Sequence, residues 1–472
     1  MINIDLEKKD IVLTILIFLV LFTINIYAIH SYDVFWHLET GGYIVENNTI
    51  PTEDVFSWYG IENNLEWIHH SWLFGVMLYF VYDVLGYWGI IFFRTFLLFG
   101  LLVLIYLIVH KKTKKHFFSL ILTFIINFFI ITMFISVRPF LFSYFILLAI
   151  VLLLEKEKFW WVIPLVLLGV NIHGGFYPMY IMIITIYTYK KKPIIIPITL
   201  CTLLINPHIF DMLLYPFIVQ GYEHIRYIRE WRITNILDKN FLFPIITYAT
   251  LLFSIKKVKL KKEEIVLFVL VILQSLSAIR HLIFLYILLV PLFSNYIYIM
   301  LCYWKEKYEK KYRKGATINF LTSKNKIFLI VYFSLFFVYQ VAMIPSTPLN
   351  IEDYPSNEVV SYIKENNLER ILNSYKWGGY LIHKDIKPMI DGRADMYQNL
   401  YNDNDLFLEY VHTVRGVQDA RDFVSKYKVK YIFLDKNSDY IFNAILKHDN
   451  CFKSIYNDER YIIYQVLDEL IS

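Results

Sequence analysis

Apolar and polar residues are sorted into long alternating blocks along this chain. Runs almost free of charge lie at about 11–29, 87–109, 117–136, 140–154, 159–172, 176–189, 193–206, 241–255, 264–279, 281–303 and 327–345. At roughly 15–24 residues each, they approach the length of a helix that crosses about 30 Å of hydrocarbon. The pattern predicts an all-α polytopic domain of about eleven transmembrane helices over residues 1–345. The apolar stretch 71–86, SWLFGVMLYFVYDVLG, is expected to lie as a helix along the outer membrane surface, because counting it as a span would invert every later loop. The first block has no small-residue cleavage site and reads as a retained span.

After Pro345 the blocks stop. KYIFLD (430–435) and RYIIYQVL (460–467) read as strands, while PSNEVVSYIKENN (355–367) and GVQDARDFVSKYK (416–428) have the spacing of amphipathic helices. Residues 346–472 are expected to form a small α/β domain outside the membrane, held there by the last span.

Composition supports the membrane reading. The chain is 57% hydrophobic and 18% charged, against about 45–50% and about 25% in soluble proteins. A net charge of +5 does not point to nucleic acid, because most lysines sit in short clusters between the apolar blocks. Three cysteines build neither a disulfide framework nor a zinc pattern.

Those clusters (Lys111 to Lys115, Lys156 and Lys158, Lys190 to Lys192, Lys256 to Lys262, Lys305 to Lys326) fall on one side if 71–86 does not span. That side is then cytoplasmic. The first outer loop, 30–86, has no Lys or Arg and several carboxylates. The expected location is the cell membrane, multi-pass, with the N-terminus inside and the C-terminal domain outside.

Candidate chemistry collects at the outer ends of the blocks. In SYDVFWHLETGG, Asp33 and His37 are four apart and share a helix face. Asp33 could act as a general base or bind a metal with His37 beside it; equally, Asp33 could cap the helix that follows it. His69 and His70 lie between tryptophans and read as structural groups or substrate contacts. Arg138, His173, Arg280 and His281 are polar groups near bilayer depth, where such groups are costly and often mark a site, the alternative being snorkelling to the outer surface. Arg226, Arg229 and Arg232 would line one side of a helix and face a lipid phosphate or, nonspecifically, anionic headgroups. Asp391, Arg393 and Asp395 read first as a structural ion cluster, and Gly378-Gly379 as a turn. Span interiors are nearly free of charge, Arg94 being the chief exception.

The order YDVFWHLETGGYIVENNTIPTEDVFSW, WIHHSWLFGVMLYFVYDVLG, RPFLFSY, HGGF, EW, RH, WGGYLI and IDGRADMY resembles a group of bacterial multi-span proteins placed with the GT-C glycosyltransferases, alongside protein mannosyltransferases and aminoarabinose transferases. The resemblance covers nearly the whole chain. It implies a GT-C-like fold, a cavity at the outer leaflet and a polyprenyl-phosphate- or pyrophosphate-linked sugar donor. It also implies a catalytic carboxylate at the start of the first outer loop, here Asp33. Many protein mannosyltransferases carry a tandem Asp-Glu there; this chain has Asp33-Val34, which leaves the acceptor class and any divalent metal ion open.

The expected function is therefore transfer of a sugar from a polyprenyl-phosphate donor to an extracytoplasmic glycan, lipid or protein, among membrane lipids and without nucleic acid. Asp33 would be the base. His37, Glu39, His69, His70, Arg138, His173, Arg229, Arg280 and His281 are the candidate substrate contacts, and Asp33 with His37 the candidate metal ligands. The rival readings are a non-enzymatic transporter or assembly factor for lipid-linked glycans, or a glycan polymerase or ligase.

Overall fold

The computed structural model describes residues 8–133, 136–219, 227–234, 241–256, 260–312, 323–398 and 405–470. Helices account for most of it, and the only sheet among the described residues has four strands.

The apolar blocks do not become eleven spans. Among the described residues, two helices are long and apolar enough to cross a membrane, Trp72–Thr113 and Asn325–Ala342. Two bent pairs, Ile195–Ile205 with Ile209–Val219 (103°) and Ile279–Leu292 with Ser294–Tyr308 (69°), bring the number to four if each is one span. The architecture of about eleven helices expected from hydropathy, and with it the GT-C-like fold that the resemblance implies, is corrected accordingly. The physical reason is helix length. His116–Thr132, Phe140–Glu155, Phe159–Ile172 and Leu242–Ile255 are apolar helices of 10–17 residues, which at about 1.5 Å per residue fall short of about 30 Å of hydrocarbon. Two to four helices suited to a membrane remain. On one of them, Asn325–Ala342, Phe328, Leu335 and Val338 are exposed, an apolar surface that water does not favour.

Trp72–Thr113 is interrupted at Gly86, whose φ of 62° and ψ of −156° suit glycine alone. The break falls where the sequence separates the stretch 71–86 from the next block. Arg94, beyond it, is fully buried; it donates to the Tyr27 carbonyl at 2.5 Å and stacks 3.6 Å over the Tyr27 ring. Near the chain start, Asp10 pairs with Lys326 at 2.7 Å, joining the Lys8–Thr23 helix to Ser323–Ala342.

The C-terminal part is an α/β unit. Strands β1 (Ile371–Asn373), β2 (Tyr431–Asp435), β3 (Phe452–Asn457) and β4 (Tyr461–Val466) lie in the order β1-β2-β4-β3, with β1 parallel to β2 and the other pairs antiparallel. Helix Asn357–Glu365 starts at Ser356, whose hydroxyl accepts from Val359 N, and Ala420–Tyr427 starts at Asp419, which accepts from Arg421 N. Both are side-chain caps that satisfy donors the helix leaves open. Gly378 and Gly379 do not form a turn. They begin a short helix, Gly378–His383, packed against Asp33–Asn47.

This unit is not a free appendage. One hydrophobic core joins its Leu372, Ile390, Phe423 and Ile432 to Trp36, Trp58 and Trp67 of the first loop region. Trp58 N donates to the Pro388 carbonyl at 3.0 Å and its indole to the Ile371 carbonyl at 3.1 Å. At the centre Arg393, 1% exposed, donates to Asp391 (2.8 and 2.6 Å) and to Asp54 (2.7 Å), and lies 4.7 Å over the Trp67 ring. Removing one member of such a buried set leaves the others uncompensated, at a cost of about 3–5 kcal/mol. Arg370 makes an equally short pair with Glu62, but Glu62 is half-exposed, and pairs of that kind contribute at most about 1 kcal/mol. Denaturant unfolding of the full chain should therefore show a large loss of stability for Arg393→Met and little change for Glu62→Gln. Equal effects would deny the triad its structural role.

Candidate active site

Asp33 opens the helix Asp33–Asn47, but it does not cap it. The N-cap position is Tyr32, with no side-chain cap bond, and the Asp33 carboxylate turns to Arg138 instead, Oδ2 to Nη2 at 2.6 Å. The chain entering this helix is clamped by the C-terminal part. Tyr354 Oη donates to the carbonyls of Ile29 (3.2 Å) and Ser31 (3.3 Å), and Ile29 N donates to the Pro348 carbonyl (2.8 Å). Gly392 lies directly against the carboxylate, and a Cβ there would overlap Asp33 Oδ1. Only glycine allows that approach.

Arg138 precedes Pro139, which starts the Phe140–Glu155 helix, so its backbone is held outside the helix. Its guanidinium is shared: besides Asp33, it donates from Nη1 to both Glu230 oxygens at 2.8 and 3.0 Å. Glu230 sits in the turn Arg229–Trp231 and also faces Arg280 at 3.9 Å. Arg280 in turn stacks 4.1 Å over the Trp231 ring. A backbone bond from Ile279 N to the Arg232 carbonyl (3.0 Å) ties the two segments. The result is an alternating row of charges, Asp33, Arg138, Glu230, Arg280.

Burial raises the Asp33 carboxyl above the usual range, the nearby Arg138 opposing and the Glu230 and Asp391 carboxylates adding to the rise. Burial also disfavours the Arg138 charge, yet Asp33 and Glu230 more than offset it and hold the guanidinium protonated. Glu230 is moved the other way, its burial outweighed by Arg138 and Arg280. Tyr375, raised by burial and by Asp33 and Asp391, stays a neutral phenol.

These groups line one cavity of about 1170 Å³. His37, His70, His173 and His281 line it as well, with Tyr375 and Asp395 on the side of the C-terminal part. His37 is 2% exposed and its ring lies 3.6 Å from that of Trp36. His70 stacks on Tyr215 (4.9 Å) and faces His173 (5.7 Å), while His173 Nδ1 is hydrogen-bonded to Ser143 at 2.9 Å. Burial, and then neighbouring histidines and arginines, lowers His37 and His173 well below their ordinary value. They are neutral rings, able to donate or accept one hydrogen bond at each nitrogen but not to balance an anion.

The remaining candidates lie elsewhere. Glu39 points away and pairs with His383 Nδ1 at 2.6 Å, whose Nε2 meets Tyr87 Oη at 2.5 Å; this ties three helices together outside the cavity. His69 is fully buried and stacks on Trp67 at 4.4 Å, not on the cavity wall. Arg226 and the Arg229 side chain lie outside the described residues, and Arg229 begins a single turn of 3₁₀ helix, not a cationic helical stripe. Among the described residues no group of three or more His, Cys, Asp and Glu side chains could hold a metal ion. With Asp33 committed to Arg138, the residues present do not fit the divalent ion considered from the sequence.

Three cavity residues escape the sequence reading. Glu230 stands in the EW of the motif order, but the arginines of YIREWR draw attention and no role falls to the acid. Tyr375 carries no signal of its own. Asp395 belongs to a set read as structural, which holds for Asp391 and Arg393 but not for Asp395, whose carboxylate lies on the cavity. No protein-family model matches the chain, and no curated protein is similar to it.

The buried histidines set a pH dependence. The folded values of His37, His69, His70 and His173 lie below their ordinary value near 6.5, so the unfolded chain binds more protons. Stability is then complete above about pH 6.5 and is lost as pH falls from there toward the folded values. Asp33, raised, works in the opposite sense at lower pH, regaining stability as pH falls through its folded value. Thermal unfolding should occur at a lower temperature at about pH 5.5 than at about pH 7.5, and His37→Asn should narrow the gap. An unchanged gap in that variant would show that His37 does not contribute.

Proposed function

We propose that the protein transfers a sugar from a polyprenyl-phosphate-linked donor to an acceptor hydroxyl, with Asp33 as general base and Arg280 and Arg138 holding the departing phosphate. The observation that carries this reading is the presence of a largely enclosed carboxylate, 18% exposed, and two arginines on the wall of one large cavity. The resemblance of the motif order to lipid-linked sugar transferases supports it. The acceptor is a glycan, a lipid or a protein on the outer side of the cell membrane, with the lysine clusters and the N-terminus inside and residues 346–472 outside.

In the proposed step the acceptor hydroxyl gives its proton to Asp33, and its oxygen bonds to the anomeric carbon. The bond from that carbon to the phosphate oxygen breaks, its electron pair leaving with the phosphate and the centre inverting. Desolvation raises the basicity of Asp33. A phosphate arriving at Arg138 and Arg280 competes with Glu230 and Asp33 for the same guanidinium donors, which frees the Asp33 carboxylate as the donor seats. Arginine suits that exchange, because its fork accepts carboxylate and phosphate alike.

A positioned general base is worth about 10²–10⁴ in rate, and one preorganised charge partner about 10²–10³. Membranes carrying Asp33→Asn or Arg280→Ala should lose transfer from a polyprenyl-phosphate sugar to that extent, with the protein present at wild-type levels. Transfer at the wild-type rate by Asp33→Asn would remove the mechanism. Sidedness is tested separately. In a chain with Cys201, Cys302 and Cys451 replaced by Ser, an impermeant maleimide applied to whole cells should label Glu46→Cys and not Lys112→Cys. Labelling of both places them in one compartment and rejects the proposed orientation.

A further inference from the structure

We infer that Asp395, Tyr215 and His70 form a wall of the cavity that recognises the hydroxyl groups of a neutral saccharide. The inference rests on the glycosyl-transfer reading and names what the cavity takes beyond the phosphate.

Tyr215 Oη donates to Asp395 Oδ2 at 2.8 Å, leaving Oδ1 without a hydrogen-bond partner among the described residues. The Tyr215 ring stacks on His70, 4.9 Å between centroids, and His70 Nδ1 is buried with no partner among the described residues. His37 Nδ1, on the same cavity and 2% exposed, is also without one. Buried polar atoms left unpaired cost free energy unless a ligand meets them. Trp36 and Trp67 also line this cavity.

The chemistry selects the ligand class. A phosphate is disfavoured here, because the wall carries a carboxylate and its imidazoles are neutral. Arg393 and Lys376 also line the cavity but are committed to Asp391, Asp54 and Asp435, and Arg138 and Arg280 lie in the other group. An unpaired carboxylate oxygen and ring nitrogens that donate or accept fit hydroxyls, which do both. Asp395 and Gly392 belong to one segment, so the α/β unit both packs the base and supplies this wall.

Tryptophan fluorescence of the purified full chain, titrated with inorganic phosphate and with glucose, galactose and mannose 1-phosphates, tests the assignment. At least one sugar phosphate should bind about 10-fold or more tightly than inorganic phosphate, the worth of a hydrogen bond to a charged group. Asp395→Asn, and Tyr215→Phe as a milder variant, should erase that advantage and leave inorganic phosphate binding unchanged. Arg280→Ala should weaken every ligand. Equal binding of all four by the wild type, or an advantage that survives Asp395→Asn, overturns the inference alone. Phosphate binding that is absent or indifferent to Arg280→Ala overturns the glycosyl-transfer reading beneath it.

Discussion

The guanidinium of Arg138 is the point on which the cavity turns. It bonds Asp33 on one side and both oxygens of Glu230 on the other, so two segments far apart in the chain meet across one cation. Without it two carboxylates would share one partly enclosed cavity with no cation between them, an arrangement in which like charges repel and protonation of one is favoured. With it both can remain ionised. The position of Arg138 just before Pro139 keeps its backbone from joining the following helix, which holds the side chain at the cavity.

Asp33 shows how opposed effects decide a property. An adjacent arginine alone would make the carboxylate a weaker base than one in water. Burial acts the other way and is the larger cause. The same burial that makes the carboxylate more basic suppresses charge on the surrounding histidines. The cavity thus keeps its charge on the carboxylates and arginines, while the imidazoles serve as hydrogen-bonding groups.

Much of the cavity could be read from residue order, and the membrane architecture could not. Asp33 and His37, four apart on a helix, line the same space, while Glu39, six on from Asp33, is turned by about 240° and meets His383. Arg138, His173 and Arg280 stand out because each is a costly polar group at the end of an apolar block. Strands β2 and β4 and the helix begun by Ser356 fall where the sequence places them, whereas the second helix begins at Asp419, beyond the start expected at Arg415-Gly416. Hydropathy, however, records composition and not helix length. The block at 193–206 looks like one span, yet its helix ends at Cys201, continues as a 3₁₀ turn and bends by 103° into the next. Glu230 and Asp395 were hidden for another reason: each becomes a cavity residue only through long-range packing.

The close approach of Gly392 to Asp33 has a consequence for how the protein is made. Every long apolar helix among the described residues emerges from the ribosome before residue 392 does, so the cavity lacks a wall until that later segment has followed them. Through most of that time Asp33 and Arg138 have no cover from this side, and the closing contact joins regions of very large sequence separation, the kind that form late and slowly. Completion of the pocket therefore reports that the α/β unit has folded onto the helices, since without the segment that carries Gly392 the apolar helices have no assembled centre.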